Sequence, residues 1–406
     1  MKLENVSYAM NPGSHCDLFS AIMTLGGIEG LKLVILGTEE CTYYGKRFIL
    51  EQKKKNDSIL LIPLKKNNII LGVSNEIESR LEEIIKLYSP KVFVVVTTCI
   101  LEVTGENIEK IIKEIEEKYQ IKILLFRTKH FKNDNYVKGI EKAINEISRL
   151  IEKPKNKVLT KSYNLLGVRY PNAENSKLCK ILKEKSIILN EIVPFSLKKI
   201  EDIEELSNVT LNIVVDLTGI EMAKYMEKNL GIPYVELLEI SDILKLKKEY
   251  EKLQNILNIN LQKEILDEEI AIKEMEKKLK EKNLNKNVAI FSNYVSGIEL
   301  GSLLSKIGLI PKIIILKNIE ETNYKKVEIL REKYLTRYIK SGNLSGVHNL
   351  YKELDIKYFL GMENPNYLLK NGIKHKTLNS INNGKFGFEI ITSIYESFIK
   401  ECENNE

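Results

Sequence analysis

The sequence predicts an α/β protein of three Rossmann-like domains, each a parallel sheet flanked by helices. Three observations predict it. Short apolar runs of strand length alternate with helical runs almost from end to end of the 406 residues, and such alternation gives parallel strands joined by crossover helices. Some of those runs are unbroken, as in VFVVV at residues 92–96, which is the pattern of a strand buried on both faces. The chain is too long for one ordinary domain, and a hydrophobic fraction of 43% is ample for several cores.

The elements follow in order. The first series has strand runs at residues 31–37, 58–64, 91–98 and 121–127. Between them EIESRLEEIIKLY and ENIEKIIKEIEEKY repeat their apolar residues at helical spacing. A charged, proline-containing break, IEKPKNK at 151–157, precedes a second series with strands at 163–168, 186–193 and 210–217. A helix then returns to a strand through Gly231 and Pro233. A long charged helical stretch follows and connects to a third series, with strands at 287–292, 309–316 and 356–361. The expected domains are therefore 1–150, 151–242 and 286–406, with a helical connector over 243–285.

Several function classes are excluded at this level. No G-x-G-x-x-G follows a strand and no G-x-x-x-x-G-K-[ST] is present, so the sheets carry no nucleotide fingerprint. The net charge of +6 is spread over 62 basic and 56 acidic residues. With no basic patch interleaved with aromatics, nucleic acid is not an expected partner. No stretch approaches the roughly 20 apolar residues of a membrane span. The opening MKLENVSYAMNPGSHC lacks the apolar segment of a secretory signal. A cytoplasmic setting is expected, where thiols stay reduced and available to metals or catalysis.

The five cysteines separate into two groups. Cys179 lies mid-helix and Cys402 in the polar tail. Cys41 follows the strand LKLVILG by a short turn, Cys99 follows KVFVVVTT, and Cys16 follows the turn at Pro12 and Gly13 and precedes a helix. The carboxyl ends of parallel strands are where open α/β sheets bind ligands. Helix starts also favour negative charge. Three thiols there suit an iron–sulfur cluster, although a [4Fe–4S] centre takes four ligands. Buried free cysteine is also a common small hydrophobe, so spacing alone leaves inert thiols open.

The local words carry more. NPGSHCDLFSAIMTLGGIEGLKLVILGTEECTYYGK resembles the opening of nitrogenase component 1 proteins, most closely the beta chain of the molybdenum–iron protein and its cofactor-assembly relative. VVVTTCILEVTGENI is similar to the third cysteine motif of that family. NLLGV, TLNIVVDLTGIEMAKYMEKNLGIPYVEL, DIKYFLG and KFGFEIITSIYESF resemble its later motifs, so the likeness spans nearly the whole chain. The chain is shorter than a nitrogenase beta subunit. In that it resembles the compact relatives that reduce tetrapyrroles, such as the dark-operative protochlorophyllide reductase and the nickel-sirohydrochlorin reductive cyclase.

The resemblance implies the three-domain fold of component 1 and an oxidoreductase subunit active with partners. It implies that Cys16, Cys41 and Cys99 bind an iron–sulfur cluster, either [4Fe–4S] or a larger P-cluster-like centre shared between subunits. The partners implied are a homologous alpha-type subunit, or a second copy of this chain, and an ATP-dependent iron protein. Glu102, Glu106 and Asn107 would then fall at the rim of the iron protein's docking face. A non-catalytic scaffold for metallocofactor assembly is the alternative, and a three-domain small-molecule binder with structural cysteines is the other. The substrate and any catalytic residue are unassigned.

The chain departs from the family pattern in three respects. Glu40 stands where the residue before the second cysteine is usually Gly. Val215 or Asp216, and about Asn379, stand where the catalytic alpha chain holds the iron–molybdenum cofactor with Cys and His, so a dinitrogen-reducing cofactor site is not expected. Asp134 falls near the beta chain's Ser cluster ligand. The four histidines, His15, His130, His348 and His375, have no metal-ligand spacing and read as solvated or packing groups. His15 alone, next to Cys16, is placed to hydrogen-bond a cluster sulfur. Asp17, Tyr43 and Tyr44 either line the cluster pocket or serve as caps and packing.

Overall fold

The computed structural model describes residues 4–6, 16–51, 59–65, 69–70, 72–128, 136–154, 159–292, 296–316, 324–341, 344–378 and 383–403. His15, His130, Asp134 and Asn379 lie outside these. The described strands are β1 (Glu4–Val6), β2 (Leu31–Gly37), β3 (Ile59–Pro63), β4 (Val92–Thr97), β5 (Lys122–Arg127), β6 (Ser162–Leu166), β7 (Ile188–Val193), β8 (Leu211–Val214), β9 (Tyr234–Glu236), β10 (Asn287–Phe291), β11 (Ile310–Leu316), β12 (Arg337–Ser341), β13 (Ile356–Gly361) and β14 (Lys374–Lys376). They form three sheets, in the orders β3-β2-β4-β5, β7-β6-β8-β9 and β1-β12-β11-β10-β13-β14. Every pairing is parallel. The α/β class with parallel sheets flanked by helices is therefore the observed one.

In the first sheet every residue of β4 is buried, as its unbroken apolar run requires. Its side chains alternate between two cores, because successive residues of a strand face opposite ways. Val94 and Val96 pack with α1 (Asp17–Leu25) and the helix Tyr136–Ser148. Phe93 and Val95 pack with the helices Ser74–Tyr88 and Ile108–Tyr119. The first core also contains Leu166, Val214, Met222 and Met226 of the second series. The other face of the second sheet (Leu165, Ile213) shares a core with Val288, Ile290 and Ile314 of the third. The three sheets are thus joined through continuous apolar cores.

The structure departs from the sequence reading in two places. The expected connector is two helices, Ile243–Leu257 and Gln262–Glu281. Asn258 breaks them apart in the left-handed conformation, φ 50°, which Asn tolerates better than most residues. Leu253, Leu257, Leu261 and Ile265 are buried in the core shared by the second and third sheets, so the segment packs along both. Residues 4–6, placed by the sequence reading in the first domain, instead pair with β12, Glu4 opposite Ile339, as the edge strand of the third sheet. Among the described residues no helix is long and apolar enough to cross a membrane.

Candidate metal centre

In the first sheet β2 lies between β3 and β4, so the chain leaves β2 and β4 toward opposite sides of their shared crevice. That reversal opens a crevice at the carboxyl ends of the two strands. The backbones come close there. A Cβ on Gly37, the last residue of β2, would stand 2.6 Å from both Cγ2 and Oγ1 of Thr98. Thr98, buried, donates its backbone N–H to the Leu36 carbonyl at 3.0 Å. Thr98 is also the residue from which α3, the short helix Cys99–Thr104, begins.

Each candidate thiol sits where a helix begins. Cys41 is in the first turn of α2 (Glu39–Glu51), its N–H 3.5 Å from Thr38 Oγ1. Cys99 is the first residue of α3. Cys16 occupies the cap position of α1 with an extended backbone. Because α1 runs back against β2 through a short turn, its start faces the carboxyl end of the sheet. All three are half-buried, and Cys16 and Cys41 both border the core beneath the sheet. Burial pushes the Cys16 thiol up to about 12; the Leu18 backbone N–H works against this, while Asp17, Cys99 and Cys41 add to the rise.

Among the described residues no three His, Cys, Asp or Glu side chains surround a single ion position. Sulfurs sharing one tetrahedral ion at about 2.3 Å would stand about 3.8 Å apart. A cluster spreads its thiolates over several irons, so a looser triad of thiols suits it. The thiols, the helix starts and the half-buried setting fit such a group.

The surrounding side chains divide into a floor and a rim. Asp17 is wholly buried and its Oδ2 meets Lys142 Nζ at 3.2 Å. Glu102, with 6% of its side chain exposed, accepts Arg127 Nε at 2.8 Å and Thr97 Oγ1 at 2.9 Å. It belongs to the floor and not to a docking rim. Glu106 accepts the Val73 N–H at 3.1 Å and the Ser74 hydroxyl, holding the start of the helix Ser74–Tyr88. Asn107 caps the helix Ile108–Tyr119 by accepting from the Lys110 N–H. Of the three residues expected at a docking rim, Glu102 is turned inward, Glu106 is half-buried and Asn107 is exposed, and each has a structural role of its own. Exposed groups on the same segments include Glu39 and Glu40, Tyr43 and Tyr44, 59% and 58% exposed, and Val103, 68% exposed.

The remaining candidates lie elsewhere. Cys179 is buried beside Ser176 and Tyr163. His348 stacks on Tyr367 and lies 3.3 Å from Glu363, and the His375 Nε2 contacts the Gly361 carbonyl at 2.7 Å. At the switch point of the second sheet Asp216 pairs with Arg169 and accepts the Thr218 N–H at 3.0 Å. Val215 packs against the core. Lys142, Arg127 and Arg169 were missed by sequence reasoning, since each is one Lys or Arg among 62 and only its folded partner marks it.

The description "Nitrogenase component 1 type Oxidoreductase" belongs to a family model that matches residues 16–382. The chain belongs to that family. Among curated relatives it is 26% identical over 243 residues to the nitrogenase iron-molybdenum cofactor biosynthesis protein NifE of Clostridium pasteurianum, covering 56% of this chain and 51% of that protein. It is 23% identical over 152 residues to NifN, of the same description, from a Nostoc species, covering 36% and 34%. The nitrogenase molybdenum-iron protein beta chain of Bradyrhizobium diazoefficiens is 27% identical over 110 residues, covering 27% and 21%. The chain thus spans about half or less of the length of these relatives. A solved structure of nitrogenase Cp1 at pH 6.5 superposes with a TM-score of 0.74 at 15% identity, covering 100% of this chain and 95% of that one. That likeness shows the component 1 fold.

Proposed function

We propose that this chain is a nitrogenase-component-1-like oxidoreductase subunit that holds an iron–sulfur cluster on Cys16, Cys41 and Cys99. The cluster relays electrons from an ATP-dependent iron protein to a substrate bound elsewhere in the molecule. One observation carries the reading: three half-buried cysteines at three helix starts share the carboxyl end of one sheet. The family, whose members bind iron–sulfur clusters and work with partner subunits, supports it. When bound, such a cluster supplies a one-electron carrier.

The chain's own residues prepare that site. Helix starts at Cys16, Cys41 and Cys99 direct their dipoles' positive ends toward the thiolates. Gly37 and Thr98 close the backbone beneath them. Three thiolates leave a [4Fe–4S] centre one ligand short, so the fourth, or a larger shared centre, is assigned to a partner subunit: a homologous alpha-type chain or a second copy. Exposed Tyr43, Tyr44 and Val103 beside the thiols supply apolar area for that partner. Val215 and Asp216 leave no cysteine for a cofactor of the dinitrogen-reducing kind, so this chain is not itself the subunit that holds such a cofactor, and its substrate is unassigned.

A second reading, a scaffold on which a metallocofactor is assembled, is favoured by two relatives whose names are those of cofactor biosynthesis proteins. Anaerobic purification with iron and sulfide analysis tests the shared premise: about four irons per cluster in wild type, and most of it lost in Cys99→Ala. Iron unchanged in Cys16→Ala, Cys41→Ala and Cys99→Ala alike would end the cluster assignment. Mixing the loaded protein with an iron protein, ATP and reductant separates the two roles, since only the electron-transfer reading expects ATP-dependent bleaching of the cluster's absorbance.

A further inference from the structure

One chain of polar contacts underlies two of the three thiols. Asp17 directly follows Cys16 and its carboxylate is wholly buried. Lys142 Nζ meets it at 3.2 Å and also donates to the Arg127 carbonyl at 3.2 Å. Arg127 ends β5, and its guanidinium bonds Glu102 at 2.8 Å and also Glu109. Glu102 lies in the first turn of α3, the helix that begins at Cys99. The start of α1, the end of β5 and the start of α3 are therefore tied through two cations, Lys142 and Arg127.

Packing alone does not call for charge here. The helix Tyr136–Ser148 crosses α1 so closely that a Cβ on Gly139 would lie 1.8 Å from Ser20 Oγ and 2.7 Å from Asp17 Cβ. Apolar neighbours Ala21, Ile140, Ala143 and Ile144 fill the same core. A buried ion pair is on average no more stabilising than a well-packed apolar pair of its size. A buried carboxylate next to a thiolate ligand is moreover unfavourable for an anionic centre, and its effect is strong where water is excluded. Lys142 is the cation that offsets it.

We propose that Lys142 is a positioning residue for the candidate cluster. It neutralises Asp17 and ties the start of α1 to the end of β5, so the placement of Cys16 and the charge felt at the cluster are set together. This rests on the cluster reading given above. Net charge near a cluster is one of the terms that sets its reduction potential. An electron arriving beside an unopposed Asp17 meets repulsion, whereas one arriving beside an unopposed Lys142 is attracted.

The test uses the full chain purified without oxygen, in wild type, Lys142→Met, Asp17→Asn, the double variant and Lys142→Arg. Iron content and the midpoint potential of the bound cluster are read by spectroelectrochemical titration. Lys142→Met is expected to shift the potential negative and Asp17→Asn to shift it positive. The double variant and Lys142→Arg should lie near wild type. A role in packing alone predicts less iron in both single variants with no opposed shift, and that result overturns the proposal. If Lys142→Met fails to fold, Asp17→Asn, nearly isosteric, decides it: a fully loaded cluster at the wild-type potential overturns the proposal. Wild type without iron overturns the cluster reading itself, which no outcome in the loaded variants resembles.

Discussion

Glu106 shows how one carboxylate changes meaning once its partners are visible. In the sequence it is an acidic residue just before a helix, suited to an exposed rim. In the fold it receives the Val73 N–H and the Ser74 hydroxyl and so joins two helices of one face. Glu106→Ala should lower stability by about 1–3 kcal/mol, because the buried Val73 N–H loses its acceptor; urea unfolding measures this, with cluster content expected near wild type. Gly139→Ala is expected to be the harsher change for the site. Its Cβ would collide with Ser20 and Asp17, so α1 must shift, at about 1–3 kcal/mol for overpacking. Iron content should fall along with stability, since Cys16 caps the displaced helix. A wild-type melting temperature in Gly139→Ala would contradict the close crossing.

At the scale of elements, the segment expected as a connector is a packing element. Tyr250, on the helix Ile243–Leu257, packs against Phe388 with the rings tilted by 35° and their centroids 4.6 Å apart, where the last helix (Phe388–Glu403) begins. Gly387 permits this by adopting φ 61°, and a Cβ there would fall 2.2 Å from the Tyr250 hydroxyl. Gly387→Ala should therefore loosen the last helix from the second and third sheets. Hydrogen exchange should speed up across residues 388–403 while the first sheet stays protected. Helical periodicity announced the helices here but not their break. A periodic apolar face continues in register through Asn258, and only the turn of the chain toward the third sheet requires the left-handed residue.

For the whole molecule, the incomplete thiol set and the exposed Tyr43, Tyr44 and Val103 point to an assembly. Light scattering on the anaerobic protein should give an oligomer, with itself or with a homologous subunit. Tyr44→Glu should shift it toward monomer and lose iron together, because the same contact would bring the remaining ligand. A monomer that keeps a full cluster would contradict the shared-site reading and require a ligand from within the chain.

The sequence by itself determined the α/β class, the strands at the centre of each sheet and the placement of Cys16, Cys41 and Cys99 at strand ends and helix starts. These are local properties: unbroken apolar runs bury on both faces, helical spacing makes a face, and a cysteine just beyond such a run lies at the ligand-binding end. The tertiary structure decided what local pattern does not encode. β1, β12 and β14 are short or polar; β1 and β14 are strands because a sheet edge offers them backbone partners, and β12 because it lies between β1 and β11. Residues 4–6 lie beside Ile339, far along the chain, because parallel pairing joins segments without regard to their separation in sequence. The pairs Asp17–Lys142, Glu102–Arg127 and Arg169–Asp216 likewise exist only once sheets and helices have packed. A charged side chain chooses its partner by distance and burial, and both are fixed by the fold.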